Sequence, residues 1–358
     1  MGRYLAKKII NTFITLFGVV SVIFFLFNVL PGDPARMMLG QNEDEAQLLV
    51  VKKKYGFDQP IFTQYLYYLN DLSPVSFHSN TKTHYTYLSP EKYTYLRLFD
   101  IQNKHVVFKY PYLRTSFTRQ GKNVSQILKD TLPNTFVLAS TSIVIALFFG
   151  VFLGILSALY KDRWVDKLVL VISTLGMSLP SFFSAIIFAW LFGFLWHEIT
   201  GLDMTGNLYE LDDFGELRTL HLQNLILPAV VLGIRPLAVV SQLMRNSLLE
   251  VFNQEYIKTA KAKGLNARQV LLKHALKNAL SPVITAISGW FASLLAGAVF
   301  VEYVFGWNGL GKEIVNALNT LDLPVIMGAV LIIATIFVLL NIVVDIIYAY
   351  LNPKIKLN

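Results

Sequence analysis

No charged residue occurs between Lys8 and Asp33, and that apolar run decides most of what the chain can become. A helix needs about 20 such residues to cross the hydrocarbon of a bilayer. Five further apolar runs follow. The second lies within Thr131 to Tyr160, the third within Leu168 to Trp196, and the fourth runs from about Gln223 to Met244. The fifth runs from about Asn278 to Val301 and the sixth from about Leu323 to Val344. Pro133 falls near the first turn of the second span, where proline is tolerated, and Pro180 falls inside the third. The composition agrees: 358 residues, 54% hydrophobic and only 15% charged, too apolar for a soluble domain of this size. The fold class predicted is an all-α integral membrane protein with six transmembrane helices.

The net charge of +8 does not point to nucleic acid. The basic residues sit in short clusters between apolar spans, where they set orientation across the membrane. Arg3, Lys7 and Lys8 precede span one, Lys161, Arg163 and Lys167 follow span two, and Lys354 and Lys356 lie in the tail. Arg245, Lys258, Lys261, Lys263, Arg268, Lys273 and Lys277 follow span four. On the opposite side, the loop after span three holds Arg218 against Glu198, Asp203, Glu210, Asp212, Asp213 and Glu216, and the loop after span five holds Lys312 as its one basic residue. The alternation predicts cytoplasmic amino and carboxyl ends. Span one is too long for a signal peptide and lacks a small-x-small cleavage site, so it reads as a retained helix. The chain has no cysteine, which excludes disulfides and cysteine-ligated metals.

The polar stretch from Glu255 to Pro282 lies between spans four and five and reads as two short helices around a corner. The first runs to about Lys263. Gly264 suits the left-handed position that ends a helix. Asn266 caps the next helix, with Gln269 in the capping-box position. The second helix carries Arg268, Lys273, His274 and Lys277, and Pro282 follows it.

Thr259, Ala260, Gly264, Leu280 and Pro282 together resemble the cytoplasmic loop of ABC importer membrane subunits. Lys258 stands where the usual pattern opens with glutamate. The resemblance implies that this loop, about residues 245–280, docks on an ATP-hydrolysing subunit through Glu255, Tyr256, Thr259, Ala260, Lys261, Lys263, Gly264 and Leu265. Leu30-Pro31-Gly32-Asp33-Pro34-Ala35 and Gly56-Phe57-Asp58-Gln59-Pro60 resemble the opening of dipeptide and oligopeptide import permeases, the family that also carries nickel. Gly297 to Gly311 and the tail Leu351-Asn352-Pro353-Lys354 resemble it too, with Tyr303 in place of an expected threonine. The implied organisation is that of a type I ABC importer: residues 1–30 hold the amino end and helix one, 31–130 an extracytoplasmic region, and 131–358 the permease core. The likeness lapses at about residues 73–110. That insertion is rich in tyrosine (Tyr85, Tyr87, Tyr93, Tyr95, Tyr110) and includes a β-like Val106-Val107-Phe108. It reads either as a docking patch for a soluble binding protein or as a spacer. Asp33 is expected to cap a helix starting at Pro34.

The resemblance implies further partners: a second similar permease subunit, two cytoplasmic ATPase subunits that use ATP and Mg, an extracytoplasmic substrate-binding protein, and the bilayer. No cofactor, metal or catalytic site is expected in this chain itself. Gly306 to Lys312 spells the front of a phosphate loop, but Glu313 stands where Ser or Thr would hold Mg. His197, His221 and His274 are scattered with no zinc spacing. Arg235, near the middle of span four and followed by Pro236, costs roughly 2.5–3.5 kcal/mol to insert. It reads either as lining for a peptide carboxylate or as half of an ion pair with Asp345 or Glu302. Gly289, Gly297 and Gly328 read as close-packing positions. The function expected is import of short peptides, with nickel chelates, glutathione or oligosaccharides as alternative cargo. A passive channel or receptor is the alternative outside that class.

Overall fold

A computed structural model describes residues 2–29, 34–39, 44–82, 84–90, 92–101, 104–119, 121–211 and 218–351. The expected Asp33 cap, the Asp212-Asp213 pair and the Asn352-Pro353 tail therefore lie outside the described residues. The chain divides into two compact units, one built mainly from Thr131–Lys312 and the other from Lys7–Asp130 with Glu313–Ala334.

The second of these units begins with α1 (Gly2–Val29), α2 (Pro34–Leu39), α3 (Glu45–Tyr55) and α4 (Ile61–Leu72). Residues Ile10–Asn28 are long and apolar enough to cross a membrane. Val20, Ile23 and Phe24 share one helical face and are buried with Tyr65, Tyr68 and Met327. Phe13, Ile14 and Phe17 are exposed, as lipid-facing positions are. The Asp44 side chain caps α3 through the Ala46 amide, and Gly56, at φ 71°, ends it.

The insertion is not helical. It forms an antiparallel sheet of β1 (Val75–Ser79), β2 (Tyr95–Ile101) and β3 (Lys104–Lys109), in the order β1-β3-β2. All-α therefore describes the spans but not this segment. Its core is polar. Asp71, 1% exposed, accepts from the Tyr85 hydroxyl at 2.8 Å, the Tyr93 hydroxyl at 3.1 Å and Arg114 Nε at 2.9 Å. Lys109 Nζ donates to the Asp71 carbonyl. Two of the five tyrosines expected at a docking patch thus turn inward to satisfy a buried carboxylate. Tyr110 remains 80% exposed. Beyond the sheet, buried Asp322 accepts from the Ser116 hydroxyl and from the amides of Phe117 and Thr118.

The other unit contains α5 (Val124–Leu159), α6 (Trp164–Ser178), α7 (Ser181–Phe188, continuing in π-helical turns Ala189–Leu195) and α8 (His197–Thr200). A hairpin of β4 (Tyr209–Leu211) and β5 (Arg218–Leu220) precedes α9 (Ile226–Phe252). The helix α5 starts earlier than expected, so Pro133 lies inside it. At 36 residues it spans roughly 54 Å, well beyond the hydrocarbon layer. Gly150 and Gly154 bring it against α9: a Cβ at Gly150 would stand 2.7 Å from Val240 Cγ1, and one at Gly154 2.6 Å from Met244 Cβ.

Span three is not straight. Helices α6 and α7 pass the length and apolarity test only as a pair, bent by 108°. Pro180 explains the break, because a residue before proline is pushed out of the helical region. Leu179 is accordingly extended at ψ 132°. Among the described residues, five helices are long and apolar enough to cross a membrane, and the bent pair makes up to six.

The chain continues through α10 (Glu255–Ala262), α11 (Ala267–Gln269), π-helical turns Val270–Ala275 and α12 (Leu276–Gly297). Then come α13 (Val299–Val304), α14 (Leu310–Asn319) and α15 (Leu323–Leu351). Pro282 does not follow the second short helix but lies within α12. Apolar burial on both sides of it, Ala279 and Val283 at 0% exposure, holds the helix together across the one missing hydrogen bond. Gly328 approaches Val124 closely, whereas a Cβ at Gly289 would meet nothing within 4 Å, so Gly289 is not a packing glycine within this chain.

Candidate coupling elbow

The elbow is built by local rules. Glu255–Ala262 forms α10, and Lys258 Nζ reaches Glu255 Oε1 at 2.8 Å on its exposed face. An exposed pair of this kind contributes little to stability. The Thr259 hydroxyl donates back to the Glu255 carbonyl at 3.0 Å. Gly264 turns the corner at φ +82°, and a Cβ there would meet no atom within 4 Å. Conformation, not space, requires glycine. Asn266 then accepts from the Gln269 amide while Gln269 Oε1 accepts from the Asn266 amide, completing the capping box.

The predicted residues divide between two faces. Glu255, Tyr256, Thr259, Lys261, Lys263 and Gly264 are exposed, and Leu265 is half-buried. Ala260 is turned inward at 5% exposure beside Ile257 at 0%. Those two pack with Met244 and Leu248 of α9, Val270 of the π-helical turns and Ala279 of α12. The polar outer face is therefore carried on an apolar foot wedged between the fourth and fifth spans.

Three supports of the elbow are not among the residues singled out from the sequence for docking. Ile257 is the centre of the foot. Asn278 Nδ2 donates to the Tyr256 hydroxyl at 2.8 Å, tying α10 to the start of α12. Arg245 and Asp166 join α9 to α6. Ile257 was the findable one, since Ile257 and Ala260 are three residues apart on one helical face.

Arg235 lies apart from the elbow. It is exposed on α9, and its Nη2 lies 3.4 Å from the Met177 carbonyl. Glu302 does not pair with it, and the Asp345 side chain lies outside the described residues. Glu302 instead sits at 0% exposure inside the glycine-rich run, where its Oε2 accepts from the amides of Gly311 at 2.6 Å and Lys312 at 3.2 Å. The loop that imitates a phosphate cradle holds the chain's own carboxylate. Among the described residues, no group of three His, Asp or Glu stands where it could hold a metal ion.

Fold and elbow together define a multi-pass membrane subunit with a structured polar elbow between two of its spans. Residues 150–357 match the family described as binding-protein-dependent transport system inner membrane component, and residues 1–84 match the amino-terminal region of such components. The dipeptide transport system permease protein DppB of Alkalihalophilus pseudofirmus is 31% identical, over 99% of this chain and all of that one. A probable D,D-dipeptide transport system permease protein, DdpB of Escherichia coli, is 32% identical over 94% of this chain and 93% of its own length. The glutathione transport system permease protein GsiC of Salmonella typhimurium is 31% identical over 99% of both chains. Among solved structures, the inward-facing MetNI methionine ABC transporter aligns with a TM-score of 0.48 and 17% identity, over 64% of this chain and 97% of that one. This chain belongs to the binding-protein-dependent transport system inner membrane component family, as a permease subunit of an ABC importer that is not itself catalytic.

Proposed function

We propose that this chain forms half of the translocation path of an ATP-driven importer of short peptides. A second, similar permease supplies the other half. Two cytoplasmic ATPase subunits, which use ATP and Mg, press on the exposed face of α10 and its counterpart. A binding protein delivers cargo on the outer side, and this chain binds no cofactor of its own. The elbow carries the reading: its exposed side, Glu255, Tyr256, Thr259, Lys261 and Lys263, is available to a partner, while Ile257 and Ala260 lock into the spans. The distribution of Lys and Arg supports cytoplasmic placement of the elbow and both termini in an inner membrane. Peptide cargo rests on relatives named for dipeptides.

Glutathione is the second reading, because GsiC relatives match at the same identity. The test is reconstitution of the complete transporter in proteoliposomes with dipeptide or glutathione inside the binding protein. Peptide uptake that requires ATP hydrolysis, with glutathione excluded, supports the first reading. Glutathione uptake alone supports the second, and uptake independent of ATP contradicts both. Gly264→Glu is expected to keep ATP hydrolysis while abolishing uptake.

A further inference from the structure

We propose that the unit holding the β1-β3-β2 sheet carries a binding site for a small carboxylate, of amino-acid or short-peptide size. The site is a cavity of about 340 Å³ lined by Lys54, Lys92, Arg114, Tyr55, Tyr85 and Tyr112 among others. That volume lies at the lower end of the range typical for small-ligand pockets. Three cations and three aromatic rings converge there, and no carboxylate is among the lining residues.

The two lysines are held by rings and not by acids, whereas Arg114 pairs with Asp71. Lys92 Nζ lies 5.3 Å from the centre of the Tyr85 ring, and Lys54 Nζ 5.6 Å from that of Tyr55. Neither lysine has a carboxylate within ion-pair distance among the described residues, and both are exposed to the cavity mouth. Arg114 lies deeper, with its side chain 16% exposed and its carbon 5.6 Å from the Tyr85 ring. Its Nε donates to Asp71 at 2.9 Å. A guanidinium carries five N–H groups in a planar fork, and the bond to Asp71 is the one its guanidinium makes among the described residues. The Nη donors remain for a planar acceptor.

The field at the site favours an anion. Partial desolvation lowers the Lys92 pKa, Asp71 opposes the shift, and the like charges of Lys54 and Arg114 add to it. A bound carboxylate relieves that repulsion and gains charge-assisted hydrogen bonds from the fork. Tyr112, on the same wall, supplies aromatic contact for the rest of the ligand.

The test uses the purified full-length chain in lipid nanodiscs, titrated calorimetrically with trialanine, its carboxyl-terminal amide and inorganic phosphate. Trialanine is expected to bind saturably and more weakly as salt rises, with the amide at least tenfold weaker. The double variant Lys54→Gln/Lys92→Gln is expected to lose at least tenfold in affinity at an unchanged melting midpoint, and Lys92→Arg to retain affinity. If the double variant melts lower, Lys54→Gln alone, at an exposed helix end, is expected to lose at least threefold. Equal binding of the amide, unchanged affinity in the variants, or binding of phosphate without trialanine overturns the proposal. An acidic side chain on a partner protein offers the same group. A cavity built for that source leaves free trialanine unbound, which also overturns the small-ligand assignment.

Discussion

Arg245 grips Asp166 with both arms of its fork, Nε to Oδ1 and Nη2 to Oδ2, each at 2.7 Å. Asp166 is 2% exposed and also accepts from the Ser157 hydroxyl and the Asp162 amide. One carboxylate thereby ties the end of α5, the start of α6 and the shaft of α9. Seven residues after Arg245 that shaft ends at Phe252, and α10 begins three residues later. The elbow therefore stands on a braced support.

Asp166→Asn removes the charge and keeps the shape. It leaves a largely buried guanidinium without its counter-ion, and the expected loss is about 2 kcal/mol. The exchange Asp166→Arg with Arg245→Asp is expected to recover part of it. Thermal unfolding of the purified chain in detergent measures both, and the double exchange is expected to melt above either single change.

Gly264 separates conformation from crowding. Its φ of +82° with open space around it means that any side chain fits but most backbones object. A residue other than glycine costs roughly 1–2 kcal/mol in the left-handed region, less for Asn, which tolerates it, and most for a β-branched residue. Gly264→Asn is expected to transport at near wild-type rate. Gly264→Val is expected to keep ATP hydrolysis in the assembled transporter while losing most uptake. The ratio of the two rates is the readout.

Glu302 supplies a pH dependence. Burial raises its carboxyl from 4.5 to about 7, against the pull of the Thr135 side chain and the amides of Gly311 and Lys312. The folded chain therefore holds a proton that the unfolded chain releases. Stability from this group is fully present below about pH 4.5 and falls as pH rises to about 7, by an amount on the order of 3 kcal/mol. Glu302→Gln keeps an acceptor for both amides and is expected to flatten the profile between those limits. Melting midpoints at stepped pH, wild type against variant, decide it.

Asp71 holds the sheet unit. Replacing it with Ala strands Arg114 and two buried tyrosine hydroxyls, each unmet group costing about 1–3 kcal/mol. Asp71→Ala is expected to open residues 73–110 to limited proteolysis while the spans stay intact. Tyr93→Phe, which removes one donor of three, is expected to raise cleavage only slightly.

Much of this was legible because it is local. A helix across hydrocarbon declares itself in 20 uncharged residues, and Gly264, Asn266 and Gln269 are turn and cap chemistry within six positions. The bend after Ser178 was half legible: Pro180 was visible, but the 108° angle belongs to how α6 and α7 pack. The pairing of Asp166 with Arg245, 79 residues apart, left no local trace. The inward turn of Tyr85 and Tyr93 was illegible for the same reason, since their partner Asp71 lies ahead of the insertion. Pro133 and Pro282 read as helix boundaries by rule, and packing on both sides overrode the rule.

The absence of cysteine makes the decisive measurement clean. A single cysteine is placed at Lys261 on the exposed face of α10, with a control at Tyr110, and each assembled transporter is treated with a short bifunctional thiol cross-linker. Lys261→Cys is expected to join to the ATPase subunit and Tyr110→Cys is not, and a membrane-impermeant thiol reagent added to intact cells is expected to leave Lys261→Cys unmodified. Labelling of Lys261→Cys from outside the cell, or failure to join the ATPase in an actively transporting complex, would contradict a cytoplasmic elbow that docks on the ATPase.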